Sequence, residues 1–174
     1  MSIEYKTIEP PNHLKNIVKH YFVMEGESKT YNMFHFADFN TKLLFIKDGL
    51  VGHCKSSNIK SHNECDGRVI RTNDDISTSR HTAVLLGPNN DYCLIRYKGH
   101  INIIGVEFKP IGIWYLTNRN AYLYADTLSP ITNIDVPGIT QLTNYVIQGN
   151  SLESILGEIS IFLSQKELIS IKEN

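Results

Sequence analysis

Short apolar runs separated by polar breaks fill the first two-thirds of the chain, and the period then changes. Pro10 and Pro11 stop any earlier element, and Asn12 can cap a helix. Leu14, Ile17, Val18 and Tyr21 recur at helical spacing, which predicts a short helix feeding the β-prone run Tyr21-Phe22-Val23-Met24. Met33 to Phe36 and Thr41 to Lys47 (TKLLFIK) read as strands. Asp48-Gly49 predicts a hairpin turn after them, because both central positions of such a turn favour positive φ, with Leu50 and Val51 starting the return strand. Thr82 to Leu86 is a strand stopped by Gly87-Pro88. Tyr92 to Lys98 is another, Gly99-His100 predicts a turn, and Ile101 to Phe108 follows. In that last run Ile104, Val106 and Phe108 share one face, and Ile103, Gly105 and Glu107 share the other. Residues 55–81 form a polar excursion, either a small hairpin around Asp66-Gly67 or a flexible loop.

Beyond Pro110 the pattern turns helical. A short helix is predicted over Ile111 to Asn118, carrying Trp114, Tyr115 and Leu116. Pro137 opens a helix that Gly149 ends after Gln148. Ser151 caps the last one, in which Leu152, Ile155, Leu156, Ile159, Phe162 and Leu163 recur at three- and four-residue steps. That stripe needs a cover, either the domain's own core or the same helix of a second subunit, which makes its six residues the candidate dimerisation surface. The architecture expected is α+β: an antiparallel β-barrel over residues 1–110, followed by a helical segment over 111–174.

Composition narrows the function. The 174 residues are 41% hydrophobic and 20% charged, ordinary for a folded domain. A net charge of -1 gives no global basic field for nucleic acid or an anionic membrane. No apolar run approaches the roughly 20 residues that span a bilayer. The start MSIEYKTIEPPN lacks a basic stretch leading into an apolar one, and three Cys suit reduced thiols, so a cytoplasmic location is expected. No GxSxG, P-loop, GxGxxG or HExxH pattern occurs, and the expectation is that the chain is not an enzyme.

The best metal candidates are His53, Cys54, His62 and Cys65. Adjacent His53 and Cys54 are awkward ligands, and clustering in a polar loop explains them as well. No His-x-His pair exists, which argues against a catalytic cupin metal centre, and neither metal nor cofactor is expected. Cys54 and Cys65 are also the residues a redox-sensing reading would use, whereas Cys93 fits a small buried strand residue. The candidate ligand contacts are His35 and Asp38 at a barrel mouth, with Tyr97 and Trp114 as aromatic walls.

Four stations of the chain resemble the N-terminal sensor domain of bacterial AraC-type transcriptional regulators. The first is Tyr5, Pro10, Pro11, Leu14, Val18 and Tyr21-Phe22; the second is Ala37-Asp38-Phe39 with Leu43, Leu44, Phe45, Ile46 and Gly49. Leu85-Leu86-Gly87-Pro88 is the third. The fourth, Ile104 to Pro110 with Gly112, is similar to the family's G-V-x-F-x-P-G segment. Ala37 and Phe39 depart from its usual Pro and Gly around the Asp, Phe22 from its Trp, and Ile111 from its Gly. The resemblance implies a cupin-like barrel that senses a small-molecule effector, and helices that pair two copies. DNA contact would come only through a helix-turn-helix domain that these residues do not include; 137–163 hold no Lys or Arg. The chain is therefore expected to be the sensor half of a longer regulator or a stand-alone sensor. The alternatives are a small cupin-like barrel enzyme and a scaffold whose interior is fully packed.

Overall fold

The fold was obtained as a computed structural model that describes residues 3–35, 38–55, 82–90 and 93–172. Among these residues six strands occur: β1 (Ile3–Ile8), β2 (Val18–His35), β3 (Thr41–Lys55), β4 (Thr82–Leu86), β5 (Cys93–Phe108) and β6 (Leu128–Pro130). Three α-helices follow or interleave: α1 (Gly112–Thr117), α2 (Ile139–Ile147) and α3 (Leu152–Lys172). The strands form one antiparallel sheet in the order β1-β2-β5-β3-β4-β6. The architecture is α+β, as expected, but the sheet is open. Its edges β1 and β6 do not pair with each other among the described residues, so the strands do not close into a complete barrel. β6 lies beyond residue 110 and still completes the sheet against β4.

Three local expectations are corrected. The first helix shrinks to one 3-10 turn, Asn12–Leu14, and the chain is extended from Val18. Helical spacing lost there to the pairing of β2 with β1 on one side and β5 on the other, which satisfies more backbone groups than an isolated short helix could. Asp48-Gly49 and Gly99-His100 do not reverse the chain; β3 and β5 continue through them. Gly49 and Gly99 do take positive φ, +97° and +94°, but they use it to bulge a strand. Asp48 pairs with Asn102 and Leu50 with Lys98, so a two-residue step on β3 faces a four-residue step on β5. β2 slips its register at the same level, between Ser28 and Tyr31.

These aligned irregularities bend all three long strands, and the sheet curls over its own inner face. Val51, Ile95 and Tyr97, beyond the bends, pack in one cluster with Phe22, Met24, Leu44 and Ile46, before them. The alternate residues of the same strands, such as Tyr21, Phe45, Val106 and Phe108, face outward and are covered by the helices. In α3, Ile155, Ile159 and Leu163 are 1%, 0% and 2% exposed in that outer core, with Leu152, Leu156 and Phe162 packed against it. Half of the stripe, Ile155, Ile159 and Leu163, is thus taken up by this chain's own core, while Leu152, Leu156 and Phe162 stay partly exposed beside it. Two side-chain bonds tie α3 to the N-terminal part of the chain: Tyr21 Oη to Ser160 Oγ at 2.9 Å, buried, and His13 Nε2 to Ser164 Oγ at 3.0 Å. No helix among the described residues is long and apolar enough to cross a membrane.

A candidate ligand site on the inner face of the sheet

Strand register builds a row of polar groups at one end of the inner face. His20 on β2 stands opposite Glu107 on β5, and Glu107 stands opposite Lys42 on β3. Val18 pairs with Phe108 and His20 with Glu107, so β2 carries an extra residue there. A bulge of this kind sets two residues against one, and both Lys19 and His20 reach the same carboxylate.

The next row is apolar: Phe22, Gly105 and Leu44. Phe22 lies where a side chain at 105 would sit, since a Cβ there would come 2.1 Å from the Phe22 Cζ. Tyr5 of β1 stacks on Phe22 with ring centroids 5.4 Å apart. Between these rows and the bent-over strand ends lies a hollow of about 310 Å³. Phe22, Met24, Met33, Leu44 and Tyr97 give it apolar walls, and Lys19, Asp38, Lys42 and Glu107 form its polar end.

A buried carboxylate is stable only when it is paired, and Glu107 is well surrounded. Its side chain is 6% exposed. Oε1 accepts from Lys19 Nζ at 2.6 Å and from Asn40 Nδ2 at 3.0 Å. Oε2 lies 3.8 Å from Lys42 Nζ and 3.4 Å from His20 Nε2. Lys42 donates to Asp38 Oδ2 at 3.3 Å, and the Asn40 backbone N–H donates to Asp38 Oδ1 at 3.0 Å. A two-way backbone bridge between Asp38 and Asn89, at 3.1 and 2.9 Å, fixes the loop that presents this carboxylate.

The environment sets the charges. Burial holds His20 below its usual range despite the attraction of Glu107, so the imidazole is neutral at neutral pH. Burial, with the charge of Glu107 behind it, pushes the Tyr5 phenol up to about 12. Burial alone would raise Asp38, but the Asn40 N–H and Lys42 outweigh it and keep its carboxyl below the usual range. The hydrogen bond to Glu107 raises Lys19. The site therefore presents two ammonium groups, two carboxylates, one neutral imidazole and an apolar hollow beside them.

Of the candidates read from the sequence, Asp38 and Tyr97 line this hollow. The backbone of His35 pairs with Cys93 near the far end of β2, while its side chain lies outside the described residues. Trp114 sits on α1, 37% exposed, and is not part of the lining. His53 and Cys54 stand on β3 opposite Ile95 and Leu94; their side chains, and all of His62 and Cys65, lie outside the described residues. The Asp66-Gly67 hairpin lies outside them too.

Sequence reasoning missed Glu107, Lys42, Lys19, His20 and Phe22. A signal for three of them was present: His20, Lys42 and Glu107 share strand parity with inner-facing apolar residues, at the end of an apolar run. A charge at an inward position is the informative observation.

Neither a curated protein nor a solved structure matches the chain. One family match is found, described as "Domain of unknown function (DUF6597)", over residues 6–130. That span reaches from β1 to the end of β6 and includes every wall of the hollow named above except Tyr5. With most of its length matched, the chain belongs to the DUF6597 family.

Proposed function

We propose that this domain is a small-molecule sensor of the AraC type, and that the inner hollow is where its effector binds. One observation carries the reading: a hollow of about 310 Å³, within the ordinary range of roughly 300–1,000 Å³ for ligand pockets, joins apolar walls to a charge-balanced cluster centred on the buried Glu107 and Lys42. The bent strands β2, β3 and β5 support a cupin-like reading of the sheet, as a barrel left open between β1 and β6.

The mechanism is linkage. Phe22 faces the hollow, and its neighbour Tyr21 faces outward and holds Ser160 of α3. A ligand that repositions Phe22 shifts β2 and with it the anchor of α3. The bias it exerts is limited to its difference in affinity for the two arrangements. Pairing of two copies, which the resemblance implies, would use exposed side chains such as Trp114 and Ile161. Sedimentation of the wild type against Trp114→Glu reads that part, and a dimer unaffected by the substitution rejects Trp114.

The test of the site is a thermal-shift screen of small organic compounds, followed by methyl NMR on Met24 and Met33. Hits are expected to raise Tm, to move both methyl resonances and to shift amide signals in α3. A screen without hits, or hits that leave both methyls still, would end this reading.

A further inference from the structure

We propose that the ligand of this hollow carries an uncharged head group that both donates and accepts hydrogen bonds, such as an amide, on an apolar body of one or two rings. The inference rests on the reading of the hollow as a ligand site and adds the chemistry it selects.

The first argument is charge balance. Among the described residues the charged walls are Lys19 and Lys42 against Asp38 and Glu107, two of each sign. His20 and Tyr5 add no charge near neutral pH, the first held low by burial and the second raised to about 12. The cluster is therefore neutral and already paired. A carboxylate or an ammonium on the ligand would add an uncompensated charge to a partly enclosed place, which is costly.

The second argument is what the cluster leaves open. The Lys42 ammonium has three donors and makes one hydrogen bond among the described residues, to Asp38 at 3.3 Å. Glu107 Oε2 has Lys42 at 3.8 Å and His20 at 3.4 Å, yet accepts a hydrogen bond from neither. His20 Nε2 is buried without a hydrogen-bond partner. A spare donor and a spare acceptor thus stand 3.8 Å apart at the edge of the hollow. An amide satisfies both, its carbonyl accepting from Lys42 and its N–H donating to Glu107 Oε2. A carboxylate placed there would meet Glu107, and an ammonium would meet Lys42.

Size and walls set the body. A dry cavity of about 150 Å³ takes up benzene, and this hollow is about 310 Å³. Phe22, Met24 and Leu44 offer aromatic, thioether and aliphatic surface, and the Tyr97 ring lies beside them.

Benzamide, benzoate and benzylammonium share one ring and differ in head-group charge, so they separate the two claims. Titration calorimetry of the intact chain at neutral pH should show benzamide binding at least about tenfold tighter than either ion, with the Met24 and Met33 methyl signals moving. If an ion binds as well or better while those methyls move, the hollow stands as a ligand site and the neutral head group is wrong. If none of the three moves the methyls, the hollow itself is rejected, and this inference with it. Charge-altering variants give a second reading. Glu107→Gln leaves one positive charge in excess and should turn the preference to benzoate, whereas Lys42→Gln leaves one negative charge in excess and should turn it to benzylammonium. Variants that fold and keep the wild-type order would overturn the charge argument, and the wild-type comparison stands where a variant fails to fold.

Discussion

The two faces of β2, β3 and β5 are built from alternate residues of the same strands, yet they solve different problems. On the outer face Tyr21, Phe45, Val106 and Phe108 meet helices and are 0–1% exposed. On the inner face Phe22 and Leu44 are also buried, but among the described residues no helix covers them; the sheet's own bent ends do. One row further along, the outer face continues with Phe108 while the inner face carries His20, Glu107 and Lys42. A face sealed by rigid helices can be uniformly apolar. A face closed only by curled strands leaves a mouth, and the mouth is where paired charges and unfilled volume coincide. The helix-sealed core thus lies on one side of a single sheet, and the charge cluster and hollow lie on the other.

Truncating a large residue on each face breaks the comparison most sharply. Phe45→Ala should cost about 3–5 kcal/mol, the usual loss for a fully buried Phe, because the residue is 0% exposed in the helix-covered core. Phe22→Ala should cost well under that figure, since its ring borders a hollow that already exists. Urea denaturation of both variants reads the difference. Equal losses would mean that the inner face is as rigidly packed as the outer one.

Gly105→Ala probes the same wall by addition. The new methyl would meet the Phe22 ring at 2.1 Å, and the ring's way out is into the hollow. A destabilisation of about 1–2 kcal/mol is expected, in the usual range for overpacking, together with loss of benzamide binding. Retained binding at reduced stability would show that Phe22 gives way in another direction.

The sequence made the outer face easier to read than the inner one. Period-two alternation in Ile101 to Phe108 put Ile104, Val106 and Phe108 together, and the structure keeps them so. The stripe of α3 was legible as apolar, and its cover turned out to be the outer core. Turn chemistry misled. Gly49 and Gly99 need positive φ, but a hairpin turn and a β-bulge both supply it, and only the pairing partner distinguishes them. Since those bulges bring Tyr97 over Phe22 and Met24, the hollow could not be located without them. Asp38 was found because a loop carboxylate beside a strand stands out. Glu107 was not, because its shared parity with Ile103 and Gly105 marks a site only once its neighbours across β2 and β3 are known.

The link between the faces can be tested at one hydroxyl. Tyr21→Phe keeps the ring in the outer core and removes the buried bond to Ser160. The expected loss is about 1 kcal/mol, the net value of one such bond with its partner left in place. Hydrogen exchange in α3 should quicken while benzamide affinity stays near the wild-type value. In the variant, ligand-induced shifts in α3 should shrink. If they persist at full size, β2 does not carry the coupling.

The smallest effect expected is a pH dependence that belongs to the inner face alone. Burial keeps the folded-state pKa of His20 below its ordinary value near 6.5. The unfolded chain therefore binds more protons than the folded one in the window below about 6.5, and stability rises with pH there. The contribution is whole above the unfolded pKa and is lost as pH falls toward the folded one. Asp38, also held low, adds a loss of the same sign, but only below the ordinary carboxylate range. Between about pH 5 and pH 6.5, the difference in urea midpoint between wild type and His20→Gln should isolate the histidine. The variant should have the flatter profile, whereas Tyr21→Phe, altered on the other face, should keep the wild-type slope. Parallel profiles for wild type and His20→Gln would mean that water reaches this end of the inner face freely.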